Sequence, residues 1–392
     1  MSEEMFPTME NRPSEPSAIP DALPGLYIHI PFCLRKCVYC GFYSVTDRSQ
    51  IHNYLAALRR EMELYREWAA SFDTLYIGGG TPSVLPATEL ERLIADIRGV
   101  FPIAIDAEIT VEANPADIDA GLLNAICRGG ANRLNIGVQS FDDGILAFLG
   151  RRHDRRQAVA AVTASRTAGM ENIGIDLIYG VPGQPMSAWF ATLGEAIALD
   201  PDHLSCYQLT LEDGTLLDEQ FRRGEVVFPD DALQADFFSA TSEFLENHGY
   251  THYEVSNFSR PGRESRHNRK YWDHIPYLGL GPAAHSFRGR ERRWNRRAVS
   301  VYINDLTSGR APVEAVETLS DEQLSLEDLF LGFRTRRGVC LETFGLRYGR
   351  DLLMEKRDKL KKLSREGLVE IRDGFLRPTR TGMAVADSLA LI

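Results

Sequence analysis

The chain has 392 residues, long enough for one large domain plus a small one, and 44% of them are hydrophobic and 25% charged, an ordinary globular composition. No apolar run approaches the roughly 18 residues that a bilayer-spanning helix needs, so a transmembrane helix is excluded. The net charge of −11 is unevenly placed: Arg260 to Arg297 holds ten Arg and one Lys against Glu264, Asp273 and Glu291, a basic island in an acidic protein.

Residues 1–24 are acidic, carry five prolines and lack an apolar core, which predicts a disordered lead-in and argues against a secretory signal. A cytoplasmic, reducing location follows as the expectation, and there clustered cysteines more often bind metal than form disulfides. The first strand is expected at Leu26–Ile30, and Cys33, Cys37 and Cys40 come directly after it. A four-iron cluster normally takes four Cys thiolates. This spacing supplies three, and the next Cys is Cys127. A cluster held here keeps one iron open to a ligand. A zinc site with His29 as fourth ligand, or three unrelated buried thiols, are the alternatives for these residues. Cys127, Cys206 and Cys340 stand alone and read as inert thiols.

The string YIHIPFC with CVYCGF resembles the radical S-adenosylmethionine (SAM) superfamily, in the branch that holds oxygen-independent coproporphyrinogen III oxidase and a haem chaperone. The resemblance implies a [4Fe-4S] cluster on Cys33, Cys37 and Cys40. It also implies SAM chelating the open iron through its amino and carboxylate groups, and a reducing electron donor whose electron breaks the sulfonium bond.

Further strands are expected at Thr74–Ile77, Glu108–Val111, Arg133–Gly137, Ile173–Ile178 and His203–Tyr207. Amphipathic stretches separate them at His52–Ala70, Ala87–Val100, Ile118–Gly129, Arg155–Gly169 and Met186–Leu199. Six βα units argue for an α/β fold with a parallel sheet and outer helices. Polar residues cluster just after the strands, where barrel active sites lie, so an open, partial (β/α)6 TIM-type barrel over residues 25–230 fits better than a doubly wound sheet. The superfamily resemblance implies the same core.

Several residues at these strand ends suit SAM, which needs acceptors, a cation and close backbone approach. Gly78, Gly79, Gly80 and Thr81 follow the second strand, and glycines let backbone carbonyls face an ammonium. In this position the run resembles the family's SAM-amine motif. Glu112 follows the third strand, with capping or salt bridging as its plainer reading. The resemblance assigns Glu112, Gln139, Arg151 and Asp176 to SAM, with Tyr27 and Thr210 as weaker contacts. Arg151 suits a carboxylate through its fork of donors, and Arg152 stands beside it. Asp176 is an acid inside an apolar strand, costly unless paired.

Beyond Pro229 the pattern changes. A long helix is expected at Ala232–His248, then a strand at Thr251–Ser256 and the basic island, together a connecting region over 231–319. The island suggests an anionic ligand, although Gly289–Arg297 alone reads as a solvated Arg-rich loop. His267-Asn-x-x-Tyr271-Trp272 lies within it and looks like the signature of the haem-chaperone branch. A His beside Tyr and Trp is usually structural, yet it also offers an axial ligand and apolar faces to haem, with Arg for the propionates. His267 is the leading haem-ligand candidate and His285 the fallback.

Residues 320–392 form a last module, with helices expected at Glu322–Arg334, Leu341–Tyr348 and Asp351–Arg365 and a hairpin of Leu368–Ile371 with Phe375–Arg377. Helices followed by a hairpin resemble a winged helix. With 14 Lys/Arg against 12 Asp/Glu and no basic face evident, nucleic-acid binding is not expected; packing over the barrel mouth is.

Two functions remain open. One is a cluster- and SAM-binding carrier that delivers haem to acceptor proteins. The other is an oxygen-independent coproporphyrinogen III oxidase that decarboxylates two propionates through a 5′-deoxyadenosyl radical. The oxidase pattern places a further Cys two residues after the third cluster Cys, and this chain has Phe42 there. That departure favours the carrier.

Overall fold

The computed structural model describes residues 22–391, so the expectation of a disordered lead-in lies almost wholly outside the described residues. Six parallel strands build the centre: β1 (Gly25–Ile30), β2 (Phe72–Gly79), β3 (Ile103–Ala113), β4 (Arg133–Gln139), β5 (Asn172–Tyr179) and β6 (His203–Gln208). They neighbour one another in chain order, each parallel to the next. The helices between them are α1 (Ile51–Leu64), α2 (Ala87–Val100), α3 (Ala120–Gly129), the short α4 (Asp143–Phe148), α5 (Arg155–Thr167) and α6 (Met186–Ala198).

The strand sequences explain the layering. Leu26, Ile28 and Ile30, Leu75 and Ile77, Ile109 and Val111, Leu134, Ile136 and Val138, and Ile173, Ile175 and Leu177 are buried in one core with the apolar stripes of α1 and α2. The alternate positions carry Tyr27, His29, Tyr76, Thr110, Glu112, Arg133, Asn135 and Asp176. With side chains alternating across each strand, this second set faces the inside of the curled sheet. The inside is therefore polar, and only a partial barrel leaves room for it to be reached.

β1 and β6 do not pair, so the barrel stays open. Residues 231–319 are not a separate connector. After α7 (Leu216–Arg222) and α8 (Asp231–Asn247), β7 (Thr251–Glu254) and β8 (Asn257–Ser259) form a hairpin that pairs antiparallel with β6. The expected single strand 251–256 is thus the first arm and turn of that hairpin. Helix α9 (Arg266–Trp272) follows, and β9 (Tyr277–Leu280) lies parallel beside β1. Then β10 (His285–Arg288), β11 (Glu291–Asn295) and β12 (Val313–Thr318) extend that edge antiparallel, with α10 (Val299–Thr307) between the last two. One sheet of 12 strands results.

Helix α1 stops at Leu64, six residues short of expectation, because the chain turns to bury Trp68 flat on Phe72, with ring centroids 5.8 Å apart. Residues from Asp321 on form helices Asp321–Phe333 and Leu341–Tyr348, and a three-stranded sheet of Val339–Cys340, Phe375–Pro378 and Val369–Arg372. They share their own apolar cluster around Phe333, Phe344 and Leu376. The helix expected over 351–365 is broken at Lys356 into Leu352–Glu355 and Arg357–Arg365. No helix among the described residues is long and apolar enough to cross a membrane.

Candidate functional site

A cavity of about 620 Å³ opens at the C-terminal ends of the parallel strands. Its walls include Cys40 and Phe42 of the cysteine loop, Gly79 at the end of β2, Gly80 and Thr81 after it, Glu112 of β3, Gln139 of β4, Asp176 of β5 and Thr210 after β6, with Arg151 between α4 and α5. Nearly every sequence-predicted SAM residue is therefore brought to one place. Tyr27 is the exception. It lies deeper on β1, its hydroxyl 3.0 Å from His29 Nδ1, and it does not line the cavity.

The cysteine loop sits on the rim, with Cys33, Cys37 and Cys40 half-buried and free. Arg151 Nη1 donates to Cys37 Sγ at 3.4 Å, and Thr81 Oγ1 lies 3.3 Å from Cys33 Sγ. Iron binds cysteine as the thiolate. The zinc alternative loses its fourth ligand, because His29 has Nε2 2.9 Å from the Tyr43 carbonyl oxygen as well as Nδ1 on Tyr27. Burial also holds that imidazole well below its usual range, at about 4. The donor set fits a cluster held by three thiolates better than a four-ligand ion site. Cys206 is buried and Cys127 and Cys340 stand apart from the loop in sequence and in the fold.

Arg151 and Arg152 divide cleanly. Arg151 also donates from Nη2 to the Gly137 carbonyl at 2.6 Å, which points its fork into the cavity. Arg152 turns away to Asp117, 2.7 Å distant. The buried Arg151 Nε has no partner, a donor left for a ligand. Burial raises two of the carboxylic acids that line the cavity, Glu112 and Asp176. Glu112 accepts from the Tyr76 hydroxyl at 2.6 Å and the Gly79 N–H at 3.3 Å, and desolvation lifts its carboxyl to about 7. Asp176 accepts from Asn135 Nδ2 at 2.7 Å, and its Oδ1 is buried without a partner. Desolvation pushes it up too. Two acids held above their usual range inside a cavity, one with a free acceptor, are primed to gain from a cationic ligand.

The glycines have a further reason beyond ligand approach. A Cβ on Gly80 would stand 2.7 Å from the Phe32 carbonyl oxygen, and one on Gly78 2.9 Å from Glu112 Cδ. Gly79 adopts φ +109°, a conformation that side chains disfavour. The run is required by the rim's own packing. Gln139 also has positive φ, +69°, where the β4–β5 register slips, which is the kind of strain that collects at binding sites. Sequence reasoning missed Asn135 and Tyr76, which orient the two acids. Their signal was present: a polar residue at every second place in strands otherwise made of Leu, Ile and Val.

His267, the leading haem-ligand candidate of the sequence, is enclosed. It is only 1% exposed, on α9 beneath the inside of the barrel. Its Nδ1 lies 2.8 Å from Thr74 Oγ1 and its Nε2 2.9 Å from the Tyr271 hydroxyl, so neither nitrogen is offered to iron. His285 is exposed on β10, its ring stacked on Trp294 at 5.7 Å. The basic island likewise departs from expectation. Arg260 pairs with Asp200, Arg266 with Asp73, Lys270 with Asp73, Arg269 with Glu264, Arg290 with Asp321, Arg292 with Glu327 and Arg296 with Asp305. Most of its charge binds segments of the chain together. Arg297, over the Tyr43 ring at 5.4 Å, is an exception near the cysteine loop.

Comparison with known proteins places this geometry. Residues 27–195 match the model of the radical SAM superfamily, and residues 319–385 match the HemN C-terminal domain. The chain is 36% identical to the haem chaperone HemW of Mycobacterium tuberculosis, over 93% of both chains. It is 39% identical to the haem chaperone HemW of Synechocystis sp., over 80% of this chain and 78% of that one. Among solved structures it resembles coproporphyrinogen III oxidase (HemN) of Escherichia coli, a radical SAM enzyme, at 25% identity with a TM-score of 0.81, covering 94% of this chain and 89% of the other.

Proposed function

The chain belongs to the radical SAM superfamily, in the family of the haem chaperone HemW proteins, and from that membership we propose that it is an iron–sulfur, SAM-binding protein that carries haem and delivers it to acceptor proteins. The observation that carries the reading is 36% identity sustained over 93% of both chains to a protein named for haem delivery. Superfamily membership brings a [4Fe-4S] cluster and SAM. When bound, they supply one-electron reduction of the SAM sulfonium.

Each cofactor has residues suited to it. Cys33, Cys37 and Cys40 would hold the cluster, with Arg151 donating to Cys37 and the Thr81 hydroxyl beside Cys33. Glu112, Asp176 and the unpartnered Arg151 Nε would receive the polar groups of SAM. With His267 enclosed, His285 is the imidazole we assign to haem iron: it is exposed, and Trp294 gives the macrocycle an aromatic neighbour. The acceptor proteins, an electron donor and a cytoplasmic site of action belong to the same proposal.

The structural likeness to coproporphyrinogen III oxidase supports a second reading, oxidative decarboxylation of coproporphyrinogen III. Phe42 weighs against it, standing where the oxidase pattern has a further Cys and 71% exposed at the cavity mouth. Anaerobically reconstituted protein, incubated in parallel with haem and with coproporphyrinogen III plus SAM and reductant, separates the two. The carrier reading expects a haem spectrum that His285→Ala shifts, and no carbon dioxide. Release of two carbon dioxide molecules per coproporphyrinogen would install the oxidase instead.

A further inference from the structure

The surroundings of the His-Asn-x-x-Tyr-Trp string lead directly to the cavity. The His267 ring is stacked on the Tyr76 ring, with centroids 5.1 Å apart at 28°. The Tyr76 hydroxyl donates 2.6 Å to Glu112 Oε1, and Glu112 lines the cavity. His267 is itself fixed from three sides. Thr74 on β2 holds Nδ1, Tyr271 one helical turn on holds Nε2, and Glu108 on β3 accepts from its backbone N–H at 3.0 Å. Room for the ring is made by Gly25 on β1, where a Cβ would stand 3.1 Å from His267 Cε1.

We propose that His267 is a positioning residue for SAM: seated under the barrel, it holds Tyr76 by its ring face so that the Tyr76 hydroxyl orients the Glu112 carboxylate toward the cavity. The ring is keyed to β2, the strand that carries Tyr76, through both its stacking on Tyr76 and its bond to Thr74. Burial, with Lys270 and Arg133 nearby, keeps the imidazole neutral down to about 3, so the support does not change over physiological pH. The proposal rests on the reading that Glu112 receives SAM.

The groups around Glu112 are Tyr76 and the Gly79 N–H from β2, Tyr27 from β1, Arg133 from β4, Asp176 from β5, Tyr207 from β6 and Tyr271 from α9. The hydrogen bond from Tyr76 favours the carboxylate, so losing its orientation should move the titration of Glu112 upward. SAM affinity is measured by equilibrium dialysis on cluster-loaded, full-length protein, with iron content checked for each variant. Tyr76→Phe and His267→Leu should each weaken SAM by about tenfold, the worth of one hydrogen bond to a charged group. The double variant should be no weaker than either, because both remove the same contact. His267→Phe keeps a ring against Tyr76 and should retain affinity within about threefold while losing thermal stability. In Tyr76→Phe and His267→Leu alike, the acid limb of SAM affinity should move to higher pH.

If His267→Leu does not fold, His267→Gln takes its place, an amide that can reach Thr74 and Tyr271 but offers no ring. Penalties that add in the double variant, or wild-type affinity in His267→Leu beside an impaired Tyr76→Phe, would overturn the proposal. Wild-type affinity in Glu112→Gln would instead overturn the underlying assignment of the cavity to SAM.

Discussion

Three half-buried thiols lie on one loop, with a guanidinium against Cys37 and a hydroxyl beside Cys33. Changing Cys33, Cys37 or Cys40 to Ser should abolish the roughly four irons per chain taken up on anaerobic reconstitution, since each thiolate holds a separate iron. Cys127→Ser, Cys206→Ser and Cys340→Ser should retain them, as iron analysis will show. At this scale the sequence was most readable, because the spacing of Cys33, Cys37 and Cys40 and the glycine run at 78–80 are local patterns that need no knowledge of the fold. The surroundings of His267 were not legible for the converse reason. A His between basic and aromatic residues has the same local sequence whether it faces haem or Thr74, and only β2 passing beside α9 decides. The Arg-rich island misled similarly: its partners Asp73, Asp200 and Glu327 lie far away along the chain.

Among elements, the parallel strands were legible and the sheet's extensions were not. β1 to β6 combine apolar alternation with a helix after each, two signals that reinforce one another. β9 is four residues long, Tyr-Leu-Gly-Leu, too short to show a period, and it is a strand because β1 offers it an open edge. What fastens this extension is Glu61 of α1. Fully buried, it accepts from the Gly281 N–H at 2.8 Å, Asn295 Nδ2 at 2.6 Å and the Tyr302 hydroxyl at 2.6 Å. One carboxyl thus joins α1 to the β9–β10 turn, β11 and α10. Glu61→Ala leaves the Gly281 N–H and the Tyr302 hydroxyl without an acceptor and Asn295 Nδ2 with the Gly281 carbonyl alone, and should cost about 3–5 kcal/mol in denaturant unfolding. Glu61→Gln keeps an acceptor oxygen and should cost distinctly less. Equal losses in the two variants would show that packing, not the hydrogen bonds, holds the extension.

Over the whole molecule, the polar inside of an open barrel has a consequence for stability against pH. Burial lifts Glu61, Glu112 and Glu254 to about 7, and it lowers His29, His153 and His252 to about 4 and His267 to about 3, with His203 also well below its usual range. A carboxyl raised in the folded state is protonated there when the unfolded chain has already released its proton. Its contribution therefore declines as pH rises from the ordinary carboxylate range to about 7. A histidine lowered in the folded state stays neutral while the unfolded chain takes up a proton, so its contribution declines as pH falls below about 6.5. Among the groups moved furthest five histidines oppose three carboxyls, with His285 lowered and Asp176 and Asp273 raised by less, and Glu112 counts for less because it faces the cavity. The histidines win on the acid side. Stability should therefore peak near pH 6.5, fall steeply toward pH 5 and fall only slightly toward pH 7.5. Thermal unfolding of the reconstituted protein across that range measures it, and a melting temperature that keeps rising from pH 6.5 to 7.5 would contradict the buried, protonated carboxyls. SAM should flatten the alkaline limb, because a cationic ligand beside Glu112 favours the carboxylate and removes one of the three groups that oppose ionisation.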